Sequence, residues 1–223
     1  TAWETRNTWL PLVESGELTF NSPAQLTFAL MAADSASVVP QLIRLLMSDD
    51  LAGQRWNEAV NLVVARGNPQ QYESLLNVAA SEPDAAQRHA LLNALIVTSQ
   101  QRKLRPAGDQ SALDELLKDE QPVSIRALAI QAVGAWKVQK HAAALTALVK
   151  DAKVPTSIRT AAIGSLAALG DATAIRLLTD FVATESEPYQ IREASVLGIA
   201  SRNAADGAKL AIDLLISARG SNP

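Results

Sequence analysis

The stretch "PTSIRTAAI", residues 155–163, recurs in close variants as "PVSIRALAI" at 122–130 and as "PYQIREASV" at 188–196. Pro122, Pro155 and Pro188 are 33 residues apart, as are Ile125, Ile158 and Ile191, and Arg126, Arg159 and Arg192. Apolar residues continue in the same register at Ile130, Ile163 and Val196, then at Val133, Leu166 and Ile199. A fixed stride between roughly 20 and 50 residues marks a repeat architecture, in which each unit buries its apolar surface only against its neighbours. The phrase therefore recurs because each unit must present the same contact surface to a like neighbour.

Within a unit the apolar spacing is helical. Ile158, Ala162, Ile163, Leu166 and Leu169 form one stripe, and Ile175, Leu178, Phe181 and Val182 form a second. Each unit reads as a helical hairpin. Gly170 stands where a left-handed C-cap is wanted and Asp171 where the next N-cap follows; Pro69 and Pro23 fall in first turns behind Asn68 and Ser22. Low aromatic and glycine content and the lack of alternating β-branched runs argue against strands.

Earlier units follow by stepping back. From Arg126, a step of 38 reaches Arg88 and a further 33 reaches Arg55. One more step of 33 arrives at Ser22, where "SPAQLTFALMAA" has no arginine but keeps Leu26, Ala29 and Leu30, while Leu42, Ile43 and Leu46 match Leu75, Leu76 and Ala79. The fold class is accordingly all-α, an α-α superhelix of about six helical hairpins with a degenerate first unit serving as an end cap. The units lie near 15–48, 49–81, 82–120, 121–153, 154–186 and 187–220 of a single domain spanning 1–223. First helices are expected near 23–34, 51–66, 83–99, 122–136, 155–169 and 188–202. Second helices are expected near 37–48, 69–80, 109–119, 139–151, 172–184 and 205–218.

Composition narrows the function. With 48% hydrophobic residues in a chain of 223, a large core is available. Twenty Lys and Arg against 23 Asp and Glu give a net charge of −3, so there is no bulk attraction to nucleic acid or anionic lipid. The absence of cysteine removes disulfides, thiolate metal sites, cysteine nucleophiles and Cys-x-x-Cys-His haem attachment, and leaves the compartment open. No run of 18 apolar residues occurs, so no membrane insertion is expected. Thr1 opens the sequence with neither an initiator methionine nor a signal-like segment, as expected of a processed protein or, the favoured reading, of a piece of a larger one.

The Pro-x-x-Ile-Arg opening, the Ala-rich first helix, "LAALGDATAIRLL" at 166–178 and the stride of 33 resemble HEAT-type repeats, particularly the short bacterial form. The likeness is strong over 122–218, moderate over 50–96 and thin before 50. The resemblance implies a single HEAT-like solenoid domain that binds protein, or another domain of its parent chain, on a concave face lined by second helices. The stretch "DDLAGQRWNEAVNLVVARGNPQQYESLLNVAAS" at 49–81 is also similar to repeat segments inside planctomycete and verrucomicrobial multidomain proteins that join a dehydrogenase-like propeller to a c-type cytochrome. That likeness carries over no catalytic residue, and it implies a structural spacer as the alternative role.

Candidate contacts are the polar residues that interrupt second-helix stripes and should face outward: Gln41, Arg44, Asp114, Thr146, Arg176, Thr179 and Asp180. Trp56 follows Arg55 at a position filled elsewhere by His89, Ala127, Thr160 and Glu193, companions that mark it as an exposed interface anchor. Packing beneath the neighbouring loop or the N-terminal segment is the competing reading and the favoured one. Trp3 and Trp9 are expected to cap the first hairpin and Trp136 to pack near a helix end.

The interruption "VTSQQRKLRPAGDQ" at 97–110 is locally basic through Arg102, Lys103 and Arg105, so it either meets an acidic partner or is a solvated, mobile insertion. The ladder of Arg55, Arg88, Arg126, Arg159 and Arg192 could grip a phosphate chain or acidic peptide. The favoured role is structural, satisfying loop carbonyls or acids such as Glu120, Asp151 and Glu187.

Catalysis has no visible carrier. His89 and His141 are the two histidines, 52 residues apart, and neither is followed by glutamate, unlike the paired His-Glu ligands of HEAT-type iron hydroxylases. No Gly-x-x-x-x-Gly-Lys phosphate loop occurs, and aromatic residues at 4% do not suit the basic, aromatic-lined face of HEAT-type DNA glycosylases. A bilin-lyase-like chaperone is a further alternative. The reading is a non-catalytic protein-binding scaffold, monomeric as an isolated segment, with no cofactor, metal or nucleic-acid partner.

Overall fold

The computed structural model describes residues 8–13, 15, 17–33, 36–48, 51 and 53–220, with backbone alone for residues 23 and 217–220; Trp3 lies outside them. Every regular element among the described residues is helical. After a helical stretch at residues 8–13 come α1 (Pro23–Ala33), α2 (Val39–Met47), α3 (Gln54–Arg66), α4 (Pro69–Ser81) and α5 (Ala85–Arg102). There follow α6 (Ala112–Leu116), α7 (Val123–Ala135), α8 (Ala142–Lys150), α9 (Thr156–Leu169), α10 (Ala172–Ala183), α11 (Tyr189–Ala200) and α12 (Ala204–Gly220). Short 3-10 turns at Ala36–Val38 and Gln139–His141 lead into α2 and α8.

The repeated phrase acts as a helix start. Pro122, Pro155 and Pro188 sit just outside α7, α9 and α11 with ψ near 140° (139°, 138° and 143°). Each offers its carbonyl to the amide of the arginine four residues on, at 3.0 to 3.2 Å. Elsewhere the punctuation is made by side chains. Asn68 accepts from the Gln71 amide while the Gln71 side chain accepts from the Asn68 amide, a reciprocal capping box ahead of Pro69. Gly170 closes α9 at φ 82°, and the Asp171 carboxylate accepts from the amides of Thr173 and Ala174 to open α10. Those two amide bonds hold its pKa below the ordinary carboxylate value.

The helices gather into two compact units, Thr1–Ala112 and Leu113–Pro223. In the first, α2 packs on α1, α3 and α4, and α5 packs on α3 and α4. In the second, α9 is central: it lies against α7 and α11 on either side and against α8 and α10, while α12 closes on α11. Small residues let the first helices approach closely. A Cβ on Gly134 would stand 2.7 Å from the Ser165 Cα, and Ser165 Oγ donates to the Ile130 carbonyl at 2.6 Å, tying α9 to α7. Gly198 meets the Cβ of Ala167 in the same way across α9 and α11.

Two expectations need correction. The second helix expected at 109–119 is only α6, because Gly108 and Gln110 take positive φ (65° and 52°), a conformation no helix accommodates, and regular structure begins after them. The stretch 97–110 is not a loose insertion either. Its first six residues continue α5 to Arg102, the Ala107 amide donates to the Pro69 carbonyl, and Gln110 Nε2 donates to the carbonyls of Pro106, Ala107 and Gly108.

Candidate binding groove

The arginine ladder is pinned by backbone acceptors in the second unit. Arg126 Nε donates to the Leu117 carbonyl at 3.1 Å, Arg159 Nε to Val149 at 2.9 Å and Arg192 Nε to Val182 at 3.0 Å. Each acceptor lies at the end of the preceding second helix, where carbonyls lack intrahelical partners. Arg159 is 2% exposed and also meets Glu187 at 2.7 Å. Among the expected acids, Glu187 is thus a partner; Arg126 instead takes Asp119 at 2.5 Å, and Asp151 caps the Lys153 amide. In the first unit Arg88 donates Nε and Nη2 to the Glu82 carbonyl. Arg55 is exposed and bonds to no described residue.

The candidate contacts divide between the units. In the first unit, Gln41 is 6% exposed and Trp56 3%, so neither can anchor a partner from the surface. Trp56 belongs to the stripe Trp56, Ala59, Val60, Val63 and Val64, which turns it inward whatever its counterparts in other repeats do. Gln41 is enclosed because α2 has neighbours on three sides, α1, α3 and α4; its Oε1 accepts from the exposed Arg44, and its Nε2 has no partner among the described residues. Arg102 is a structural clamp. Its Nη1 donates to the Val64 and Gly67 carbonyls, both at 2.8 Å, and to Tyr72 Oη at 3.2 Å, while Tyr72 donates to the Val64 carbonyl at 2.6 Å. Burial raises the Tyr72 pKa, and the Arg102 bond partly opposes this. Lys103, in the left-handed region at φ 54°, and Arg105 remain exposed.

In the second unit Asp114 is held by its own neighbour Lys140, whose Nζ donates to it at 3.1 Å, and it lies 3.2 Å from His141 Nε2, an atom that makes no hydrogen bond among the described residues. Burial keeps the His141 imidazole below its usual pKa; Asp114 opposes that and Lys140 reinforces it. Arg176, Thr179 and Asp180 are exposed on α10. Thr146 lines a concavity, a groove of about 200 Å³ between α8 and α10 with α9 as its floor.

One wall of that groove is Ala142, Ala143, Thr146 and Lys150 of α8; the other is Thr173, Ala174 and Leu177 of α10; Leu166 and Leu169 of α9 lie beneath, and Asp171 stands at the rim. The walls are small and the floor apolar, with Lys150 supplying a cation. Such a recess can take one or two apolar side chains of a polypeptide and pair Lys150 with a nearby carboxylate. Sequence reasoning missed Lys150, Thr173 and Leu177. Their signal is spacing: 142, 146 and 150 form one i, i+4, i+8 row and 173 with 177 another, on consecutive second helices. Among the described residues no group of three His, Asp or Glu side chains could hold a metal ion, and no helix is long and apolar enough to cross a membrane.

No curated protein and no solved structure matches this chain. A family model does. Residues 110–200, which run from the end of the first unit through α11, match the model for HEAT repeats, so this part of the chain is similar to HEAT-type helical repeats, in keeping with its packed helix pairs.

Proposed function

We propose that this chain is a non-catalytic protein-binding scaffold that takes a segment of a partner, or of another domain of its parent chain, in the groove between α8 and α10. HEAT repeats generally mediate protein–protein interaction. What supports the finer reading is that the side chains of two successive second helices converge on one apolar-floored recess with a cation at its edge. Exposed Arg176, Thr179 and Asp180 on α10 flank it as a polar margin, in keeping with the polar rim that surrounds the apolar centre of most protein interfaces.

The test compares capture by the chain with capture by two variants. Leu177→Glu places a carboxylate in the recess, and Asp180→Arg alters the outer margin alone. A partner retained by the parent chain and by Asp180→Arg but lost at least tenfold with Leu177→Glu supports the groove. Equal capture by all three places the contact elsewhere, and no capture by any of them favours a structural spacer.

A further inference from the structure

One arginine of the ladder has nothing to hold, and the first unit contains the cause. Arg159 and Arg192 each donate Nε to the carbonyl ten residues back, that of Val149 or Val182. Ten residues before Arg55 and Arg88 stand Leu45 and Val78, and in both places a serine three residues further on has taken that carbonyl. Ser48 Oγ donates to Leu45 at 3.1 Å and Ser81 Oγ to Val78 at 3.2 Å. The equivalents of these serines beyond Val149 and Val182 are Ala152 and Glu185, which carry no hydroxyl. Arg88 turns to the Glu82 carbonyl instead. Arg55 finds no substitute among the described residues and stands exposed as a cation without a counter-ion.

Beside it lies Phe28 of α1, at 77% the most exposed large apolar side chain among the described residues. Its row along α1, Ala24, Phe28 and Ala32, is apolar, whereas 33 residues later Asn57 and Asn61 hold the places of the first two. Phe28 and Arg55 border both of two open hollows, of about 490 Å³ and about 310 Å³. The first is lined by Phe20 and Ala24, near the start of α1; the second by Met31 and Ala32, near its end, with Glu58 at the rim. Glu58 is engaged by Gln54 Nε2 at 2.7 Å.

We infer that Phe28 and Arg55 form a docking ridge for a polypeptide segment in which one acidic residue lies between two apolar ones. The carboxylate pairs with the planar fork of the Arg55 guanidinium, which offers it two parallel donors, and the apolar side chains enter the hollows. Ala24 and Met31 are seven residues apart on one helix, about 10 Å, a distance an extended chain covers in about three residues, and this sets the spacing of the two apolar positions. Glu58 repels further acids at the second hollow, so the segment carries one carboxylate rather than an acidic run. A nucleic acid fits poorly, because a lone cation on a chain of net charge −3 cannot follow a phosphate backbone. The surface lies wholly within the first unit and is independent of the groove between α8 and α10.

Random twelve-residue peptides selected from a display library on the full chain, then synthesised with a fluorescein label and titrated by anisotropy, test it. The expected winners carry the apolar, acidic, apolar pattern. Their Kd should rise at least about tenfold with Arg55→Gln and with Phe28→Ser, both of which should melt as the parent chain does, and should not change with Leu177→Glu. Replacing the peptide's acid by the corresponding amide should cost a similar factor on the parent chain and nothing further on Arg55→Gln, a coupling that a loss of folding would not produce. The inference is overturned if no selected peptide depends on both residues, or if those that do carry no acid. Self-association of the chain that Phe28→Ser abolishes also overturns it, since the surface would then belong to a second copy.

Discussion

Arg159 and Arg55 occupy the same place in the repeat and have opposite environments. The first is buried between the Val149 carbonyl and Glu187; the second stands in solvent without a bond to any described residue. In the second unit the arginines at 126, 159 and 192 each reach back nine or ten residues to the end of the preceding second helix. In the first unit Arg88 serves the Glu82 carbonyl at the end of α4, and a second clamp is made by Arg102, which lies outside the ladder and serves the end of a first helix through Val64 and Gly67. The difference shows that a repeated residue performs a repeated task only where the acceptor is also repeated. The stride alone does not secure the acceptor: Arg88 and Arg126, on either side of the 38-residue step, each meet a carbonyl at the end of the preceding second helix, whereas Arg55, 33 residues before Arg88, meets none.

The sharpest break in the contrast is Arg159→Ala. It removes a donor from a buried carbonyl and leaves Glu187, whose side chain is 17% exposed, without its cation. Losing one partner of a buried, hydrogen-bonded pair costs about 3 kcal/mol. The urea midpoint should fall accordingly, while partner affinity per folded molecule stays unchanged. Arg159→Lys should recover little, because one ammonium cannot meet Val149 and Glu187 in the geometry of the guanidinium fork. Unchanged melting with lost partner binding would instead assign the ladder to recognition.

Arg102→Ala is the next test, and it examines whether an arginine outside the register does comparable work. The guanidinium serves two backbone carbonyls and the Tyr72 hydroxyl from a partly exposed position, so the cost should be about 1.5 kcal/mol. Amide exchange should quicken most at the end of α3 and the start of α4, around Gly67. A loss as large as that of Arg159→Ala would remove the distinction between the units.

These outcomes bear on what could be read from the sequence. Helix starts were legible to within one residue at Pro122, Pro155 and Pro188, because a proline fixes its own φ and the stride then dates the rest. The Gly170 and Asp171 boundary was legible for the same local reason. For Trp56 its counterparts His89, Ala127, Thr160 and Glu193 pointed to exposure while packing was the favoured reading, and its own stripe with Ala59, Val60 and Val63 decides for packing. Gln41 was grouped with Arg44, but the exposed row of α2 is Pro40, Arg44 and Met47, and Gln41 lies beside it on the face shared by buried Leu42, Leu45 and Val38. The groove was hidden for a related reason. It is a property of two helices together, and stripes read one helix at a time do not show which rows of α8 and α10 face the same gap.

Arg55→Ala carries the smallest expected effect and the clearest logic. The side chain lies beside Phe28, which is 77% exposed, and it serves no described carbonyl or carboxylate. Substitutions at such positions change stability by no more than about 0.5 kcal/mol, so the melting curve of Arg55→Ala should superimpose on that of the parent chain. Arg159→Ala in the same experiment supplies the contrast, since the two substitutions are chemically identical and 104 residues apart in register. If Arg55→Ala were as damaging as Arg159→Ala, Arg55 would be held like the other ladder arginines after all, and the dependence on an available acceptor would fail. If it is silent, the arginine persists in the phrase there without the bond that gives it energetic value elsewhere.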